Sequence, residues 1–270
     1  MTGVPSANVT AQAMVGVVGG SGLYELFDRG EDVDIATPYG ATVRVTIGRI
    51  GEHVVAFVPR HGRDHSVPPH RIDARSCIWA LAALGVKAMI STAAVGSLNP
   101  ELPVGTIALA SQLVDRTHGR ADTFFDGNVV RHLPFSDPFD NALRTVALDA
   151  CPELSDGATV LVIQGPRFST RAESHINRAG GVDLVNMTLY PEIALAAELG
   201  IDAAALCLVT DLDTGETSED AVTAEAVFAV LHEAKPRLVG AIERIVTALP
   251  ADYAARELID RAAIDAVVKQ

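Results

Sequence analysis

The chain has 270 residues, 49% of them hydrophobic, with 34 acidic against 21 basic side chains and a net charge of −13. That balance argues against a nucleic-acid or anionic-membrane surface, on which Lys and Arg would have to cluster, while leaving room for an anionic substrate in a local site. No run of about 18 apolar residues marks a membrane span, the start MTGVPSANVTAQAMVGVVGG lacks the basic region of a secretory signal, and Cys77, Cys151 and Cys207, an odd three without metal-ligand spacing, point to the cytoplasm.

Residues 1–13 read as a disordered tail and 14–270 as one domain. A first strand, MVGVVGG, runs into the turn residues of SGLYEL. TVRVTIGRI and EHVVAFV, separated by Gly51, have the pattern of an antiparallel hairpin. RIDARSCIWALAALG is helical in period and stops at Gly85. KAMISTAAVGSL and VGTIALASQLVDRT are further strands, and Cys77 and Cys207 sit in apolar runs as small core residues. Residues 117–141 carry no period, and a loop of that length in a compact domain points to function. DNALRTVALDAC is helical, ATVLVIQGPRF a strand ending in Gly-Pro, RAESHINRAGG a helix closed by Gly, and VDLVNM a strand. YPEIALAAELG is a helix with Pro191 in its first turn, IDAAALCLVT a buried strand, and AEAVFAVLHEAKPRLVGAIERIVTAL an amphipathic helix. The last 20 residues read as a short helix against the body or a neighbour. Strands and helices alternate without a linker, which predicts a single α/β domain with a central mixed β-sheet flanked by helices.

Several strand ends carry polar chemistry. VVGGSGLYE lacks the third glycine of a dinucleotide fingerprint, since Glu25 stands there, and no P-loop is present; what remains is a Gly-Gly-Ser-Gly turn, either an anion nest or a plain turn. In VPRHGRDHS, two Arg and two His crowd behind an apolar strand. The stretch is a solvated loop or an oxyanion site, with Arg60 offering a fork and His61 a further donor. STAAVGSL puts small residues where a backbone can approach a ligand. LVTDLDTG sets Asp211 and Asp213 two apart at the mouth of a buried strand, so that in an extended chain both face one ligand.

GGSGL, RHGRDH, TAAVGSL, QGPRFSTRAES, NMTLYPE and TDLDTG, in this order and spacing, resemble the purine nucleoside phosphorylase/methylthioadenosine phosphorylase family of trimeric type, nearest its methylthioadenosine branch, over about residues 15 to 235. The resemblance implies a nucleoside phosphorylase-like fold, a homotrimer with sites at subunit interfaces, and phosphorolysis of a purine nucleoside. It implies a phosphate site from Ser21, Arg60, His61, Ala93, Ala94 and Thr188, with Arg63 and His65 secondary. Ala93 stands where close relatives carry Thr, leaving only a backbone contribution. Asn186 and Met187 match the ribose side, Phe168 the residue on the purine face, and His132 a residue that reaches the neighbouring subunit's 5′ pocket. That pocket is expected to be lined by Val227 and by Ala224, smaller than the Val of relatives. Gln164 replaces a Glu.

Ser169 and Asp211 stand where 6-oxopurine enzymes carry Glu and Asn. A carboxylate accepts from an exocyclic amine but meets O6 lone pair against lone pair, and an unpaired buried group costs about 1–3 kcal/mol. The resemblance therefore implies S-methyl-5′-thioadenosine as substrate, Asp211 as the acid at N7 with its pKa raised by burial, and Asp213 as partner of N6 or orienter of Asp211. Phosphate is a co-substrate, and no metal or organic cofactor is expected. Three rivals remain: a 6-oxopurine phosphorylase, a nucleosidase using water, and a non-catalytic nucleotide- or metal-binding protein built on the D-x-D pair.

Overall fold

The computed structural model describes residues 14–127, 129–214 and 223–270. The tail expected over 1–13 lies outside the described residues. Nine strands appear in chain order: β1 (Met14–Gly19), β2 (Glu31–Ala36), β3 (Thr42–Ile50), β4 (His53–Pro59), β5 (Val86–Ser97), β6 (Ile107–Arg116), β7 (Ser155–Ile163), β8 (Leu184–Asn186) and β9 (Asp202–Asp211). Among them are set α1 (Ala74–Ala83), α2 (Asn141–Ala150), α3 (Arg171–Ala179) and α4 (Leu189–Glu198), followed by α5 (Ala224–Ala248) and α6 (Arg261–Val268). None of the described helices is long and apolar enough to cross a membrane.

The strands form one mixed sheet in the order β2-β3-β4-β1-β5-β8-β7-β6-β9, with β9 returning to pair with β5. Strand β5 is parallel to β1 and β9 and antiparallel to β8, while β9 is antiparallel to β6. Strands β5, β8, β7, β6 and β9 therefore close on themselves. The expected central sheet is an open, twisted half joined to this closed half, with β5 shared.

Alternation along the strands divides the core in two. On β9, Leu206 and Leu208 pack with Ile242 and Ile245 of α5, whereas Ala205, Cys207 and Val209 pack with Ile193 and Leu195 of α4. A strand buried on both faces has no polar alternation, and all of β9 except its last residue is buried. Helix α6 packs on the body: Ile264 and Val267 join the core, and Trp79 Nε1 donates to the Val267 carbonyl at 2.9 Å.

Strand β2 was not among the expected elements. Its sequence, EDVDIA, carries three carboxylates of a kind that propensity assigns to loops, yet it lies at the sheet edge with those side chains outward. Arg44 forks onto Asp34 at 2.8 and 3.0 Å, and Arg63 and Thr46 both donate to Asp32. Cross-strand pairing supplies what propensity lacks.

The chain after α5 is clasped to the foot of β9. Asp202 and Asp140, both buried, accept from the Tyr253 hydroxyl at 3.0 and 3.1 Å, and Arg256 Nε donates to Asp202 at 2.7 Å. Tyr253→Phe should remove the one hydrogen that these two buried carboxylates share and lower stability by about 1–3 kcal/mol; urea denaturation measures it, and an unchanged midpoint would contradict this account of the clasp.

Candidate active site

Loops following β1, β4, β5, β7, β8 and β9 converge with the start of α5 on one cavity of about 530 Å³. The volume suits a small molecule, and strand carboxyl ends are where α/β sheets place ligands.

One wall is rich in donors and holds Ser21, Arg60, His61 and Thr188. Arg60 leaves the end of β4 and is 4% exposed. Its Nε and Nη2 fork onto Glu192 of α4 at 2.8 and 2.9 Å, Nη2 also donates to Ser91 Oγ at 2.7 Å, and Nη1 donates to the Thr92 carbonyl at 2.6 Å. The two-pronged edge expected to grip an anion is thus engaged inside the protein, because a buried cation needs a counter-charge. One Nη1 N–H remains. Nη1 lies against Gly20, where a Cβ would come within 2.9 Å of it and 2.4 Å of the Thr92 carbonyl. Only glycine lets the β1 turn come so close.

His61 also differs from expectation. Its Nδ1 lies 2.9 Å from the Val67 carbonyl, which can only accept, so Nδ1 carries the hydrogen. Burial, with the Arg60 charge beside it, pushes its pKa down to about 4. The ring is therefore neutral near pH 7 and its Nε2 is an acceptor, suited to an oxyanion that still carries a hydroxyl.

The opposite chemistry stands at the end of β9. Asp211 Oδ1 accepts from the Asp213 N–H at 2.9 Å, and Oδ2 accepts from the Thr210 hydroxyl at 2.8 Å. Burial raises the Asp211 pKa; these two hydrogen bonds offset part of the rise, and the neighbouring Asp213 charge adds to it. Strand β9 ends at Asp211, and Asp213 turns through φ +55°. A turn, and not the pleat of an extended strand, brings both carboxyls into the cavity. Asp213 is 4% exposed and its Oδ2 accepts from Ser174 Oγ of α3 at 2.6 Å. Gly96 makes room, since a Cβ there would lie 2.7 Å from Asp211 Oδ1. Among the described residues no group of three or more His, Cys, Asp or Glu gathers as a metal site.

Apolar side chains also line the cavity: Phe168, Val185, Met187, Val227 and Phe228, with Ala224. Phe168 and Phe228 are 44% and 40% exposed, which leaves the mouth of the cavity lipped by uncovered aromatic surface.

The structure brings Ser21, Arg60, His61, Ala94, Phe168, Asn186, Met187, Thr188, Asp211, Asp213, Ala224 and Val227 to this cavity, together with His65. Ala93 is not on the lining: its side chain is 3% exposed and faces the core beside Cys207, while Ala94 takes the cavity side, which leaves the expected backbone contribution of Ala93 untouched. Asn186 lines the cavity with its side chain already committed. Its Oδ1 accepts from the N–H groups of Thr188 and Leu189, and its Nδ2 donates to the Ala94 carbonyl. Ser169 is not on the lining, and its Oγ is buried without a partner among the described residues. His132 is exposed and lies outside this cavity. Arg63 turns away to Asp32.

Glu192, Ser174, Thr210 and Arg120 were missed. Glu192 had a signal, being the one charge early in an otherwise apolar helix, LYPEIALAAE. Arg120 had none. From the long loop it donates to the Gln164, Met187 and Tyr190 carbonyls at 2.9, 3.0 and 2.5 Å, and to Gln164 Oε1. It ties that loop to two walls of the cavity, and Gln164 serves as a neutral acceptor for the strap.

The family model described as the phosphorylase superfamily matches residues 14–247. S-methyl-5′-thioadenosine phosphorylase of Mycobacterium tuberculosis is 51% identical over 224 residues, which cover 82% of this chain and 83% of that protein. Purine nucleoside phosphorylase of Streptomyces coelicolor is 43% identical over 254 residues, covering 89% and 90%. The solved structure of methylthioadenosine phosphorylase from Schistosoma mansoni in complex with adenine has a TM-score of 0.85 at 29% identity, covering 95% of this chain and 96% of that one.

The raised pKa of Asp211 has a measurable sign. A carboxyl whose folded pKa exceeds its unfolded value favours folding at low pH and loses that contribution as pH rises through the folded pKa. Asp211→Asn has no such titration. Its stability relative to the unsubstituted protein should therefore improve as the pH rises above the ordinary aspartate range and through the raised pKa of Asp211, read by denaturant unfolding at each pH; a flat difference would contradict the burial of this carboxyl.

Proposed function

The chain belongs to the phosphorylase superfamily, and from that premise we propose that it cleaves S-methyl-5′-thioadenosine with inorganic phosphate, releasing adenine and 5-methylthioribose 1-phosphate. The observation that carries this reading is the pairing, across one cavity, of a donor-rich pole with a buried carboxyl of raised pKa.

Phosphate sits against Ser21, Thr188 and the remaining N–H of Arg60, and its hydroxyl hydrogen meets His61 Nε2. One phosphate oxygen attacks C1′ as the bond to N9 breaks through an oxocarbenium-like state. Adenine leaves poorly as an anion, so the Asp211 carboxyl gives its proton to N7 and is left as a carboxylate. Asp213 accepts from the exocyclic amine at C6. Phe168 lies on the purine face, Met187 on the ribose, and Ala224, Val227 and Phe228 around the 5′ substituent. Every step uses groups of the protein and phosphate, so no metal or organic cofactor enters.

The assembly we propose is a homotrimer in which His132 of the partner subunit completes the 5′ pocket. Two features support it: His132 is exposed on the long loop away from its own cavity, and the aromatic lip of the cavity is uncovered. The three free thiols, two of them fully buried, suit the cytoplasm.

The test is release of free base from S-methyl-5′-thioadenosine, adenosine and inosine, each with and without phosphate. Phosphate-dependent release of adenine is expected. Turnover without phosphate would sink the phosphorylase reading, and inosine as best substrate would sink the adenine reading. Asp211→Asn should cut kcat on the adenine nucleoside roughly 100-fold or more; a variant with full activity would remove Asp211 from its role as acid.

A further inference from the structure

The adenine reading leaves one matter open: two carboxyls two positions apart face one base, and only one of them gives it a proton. We propose that Ser174, which does not itself line the cavity, is a positioning residue that holds Asp213 as a fixed acceptor for the 6-amino group. The proposal rests on the function proposed above.

The geometry behind it is short-range and rigid. Ser174 is 2% exposed and its hydroxyl donates to Asp213 Oδ2 at 2.6 Å. That hydroxyl occupies one of the two carboxyl oxygens and fixes the rotamer of the side chain. Among the described residues Oδ1 is left as an acceptor, which matches an exocyclic amine and opposes the oxygen of a 6-oxopurine. Asp211 is held differently. Its Oδ1 is met by the backbone N–H of Asp213 and its Oδ2 by the Thr210 hydroxyl. Burial first, and the neighbouring Asp213 charge after it, raise the Asp211 pKa, so the two carboxyls are held by different partners for different roles.

Helix α3 is built to keep Ser174 in place. Thr170 and Glu173 form a reciprocal capping box at its start, and Arg167 forks onto Glu173 at 2.7 and 2.8 Å. Ser174 follows Glu173 directly, so the anchored first turn aims its hydroxyl at Asp213. That backbone stands at φ +55°, a conformation that aspartate adopts at some cost. The hydrogen bond holds the side chain of a residue whose backbone is already committed to the turn.

The experiment compares kcat and KM for S-methyl-5′-thioadenosine and for its 6-oxo counterpart, S-methyl-5′-thioinosine, in the unsubstituted protein, Ser174→Ala and Ser174→Thr. Ser174→Ala should lower the selectivity for the 6-amino substrate by roughly tenfold or more, chiefly through a higher KM on that substrate, and Ser174→Thr, which keeps the hydroxyl, should restore it. Equal loss on both substrates, or unchanged selectivity in Ser174→Ala, would overturn the proposal, whatever the melting temperature does. If the unsubstituted protein fails to release adenine with phosphate, the function proposed above has failed; if it succeeds and the ratio holds in Ser174→Ala, only the role of Ser174 has.

Discussion

Arg60 and Glu192 form a pair whose side chains are 1% and 4% exposed, and the cavity is organised around it. Removing either charge would leave the other buried and unpaired, at a cost of about 3–5 kcal/mol. The two come from elements far apart in the chain, the end of β4 and the first turn of α4, and the same guanidinium also reaches Ser91 and Thr92 of β5. Gly20, from the end of β1, donates its N–H to Thr92 Oγ1 at 2.9 Å. One buried charge therefore sets the spacing of four elements, and three of them border the cavity. The Asn186–Thr188 turn follows, since it leads directly into α4 and is closed by Asn186 bonding back to Ala94.

A consequence is that the donor wall carries little free charge. Arg60 is matched by Glu192 and His61 is neutral, so an anion there meets dipoles, one guanidinium N–H and a ring acceptor. Such a wall can take a hydrogen phosphate without holding it as firmly as bare cations would, which suits a co-substrate that must leave as part of a sugar phosphate. The carboxylate pole is divided as well. Asp211 is pushed towards the neutral acid by burial, while Asp213 is bonded by a hydroxyl. Two carboxyls with unlike surroundings can take unlike roles, one as an acid and one as an acceptor.

Much of this was legible beforehand. The α/β class, every helix, eight of the nine strands and most cavity residues follow from apolar runs, Gly and Pro punctuation and a set of motifs in fixed order. Strand β2 escaped because its carboxylates are supported by Arg44, Arg63 and Thr46 across the sheet, contacts that local propensity does not contain. Ala93 was expected to offer only its backbone, and the alternation of β5 accordingly turns its side chain into the core. Arg120 was invisible because its four acceptors are three carbonyls and one amide, none of which leaves a mark in residue type.

The sequence by itself determined that carboxylates, hydroxyls, an arginine and a histidine stand at the ends of buried strands, and hence which chemistry was available. Tertiary structure alone decided which of those groups are free to use it. The fork of Arg60 is taken by Glu192, the Nδ1 hydrogen of His61 by the Val67 carbonyl, the side chain of Asn186 by its own turn, and one oxygen of Asp213 by Ser174. The reason is physical: a buried polar group must find a partner, and the partner is chosen by proximity in space between residues that lie from 2 to 132 positions apart.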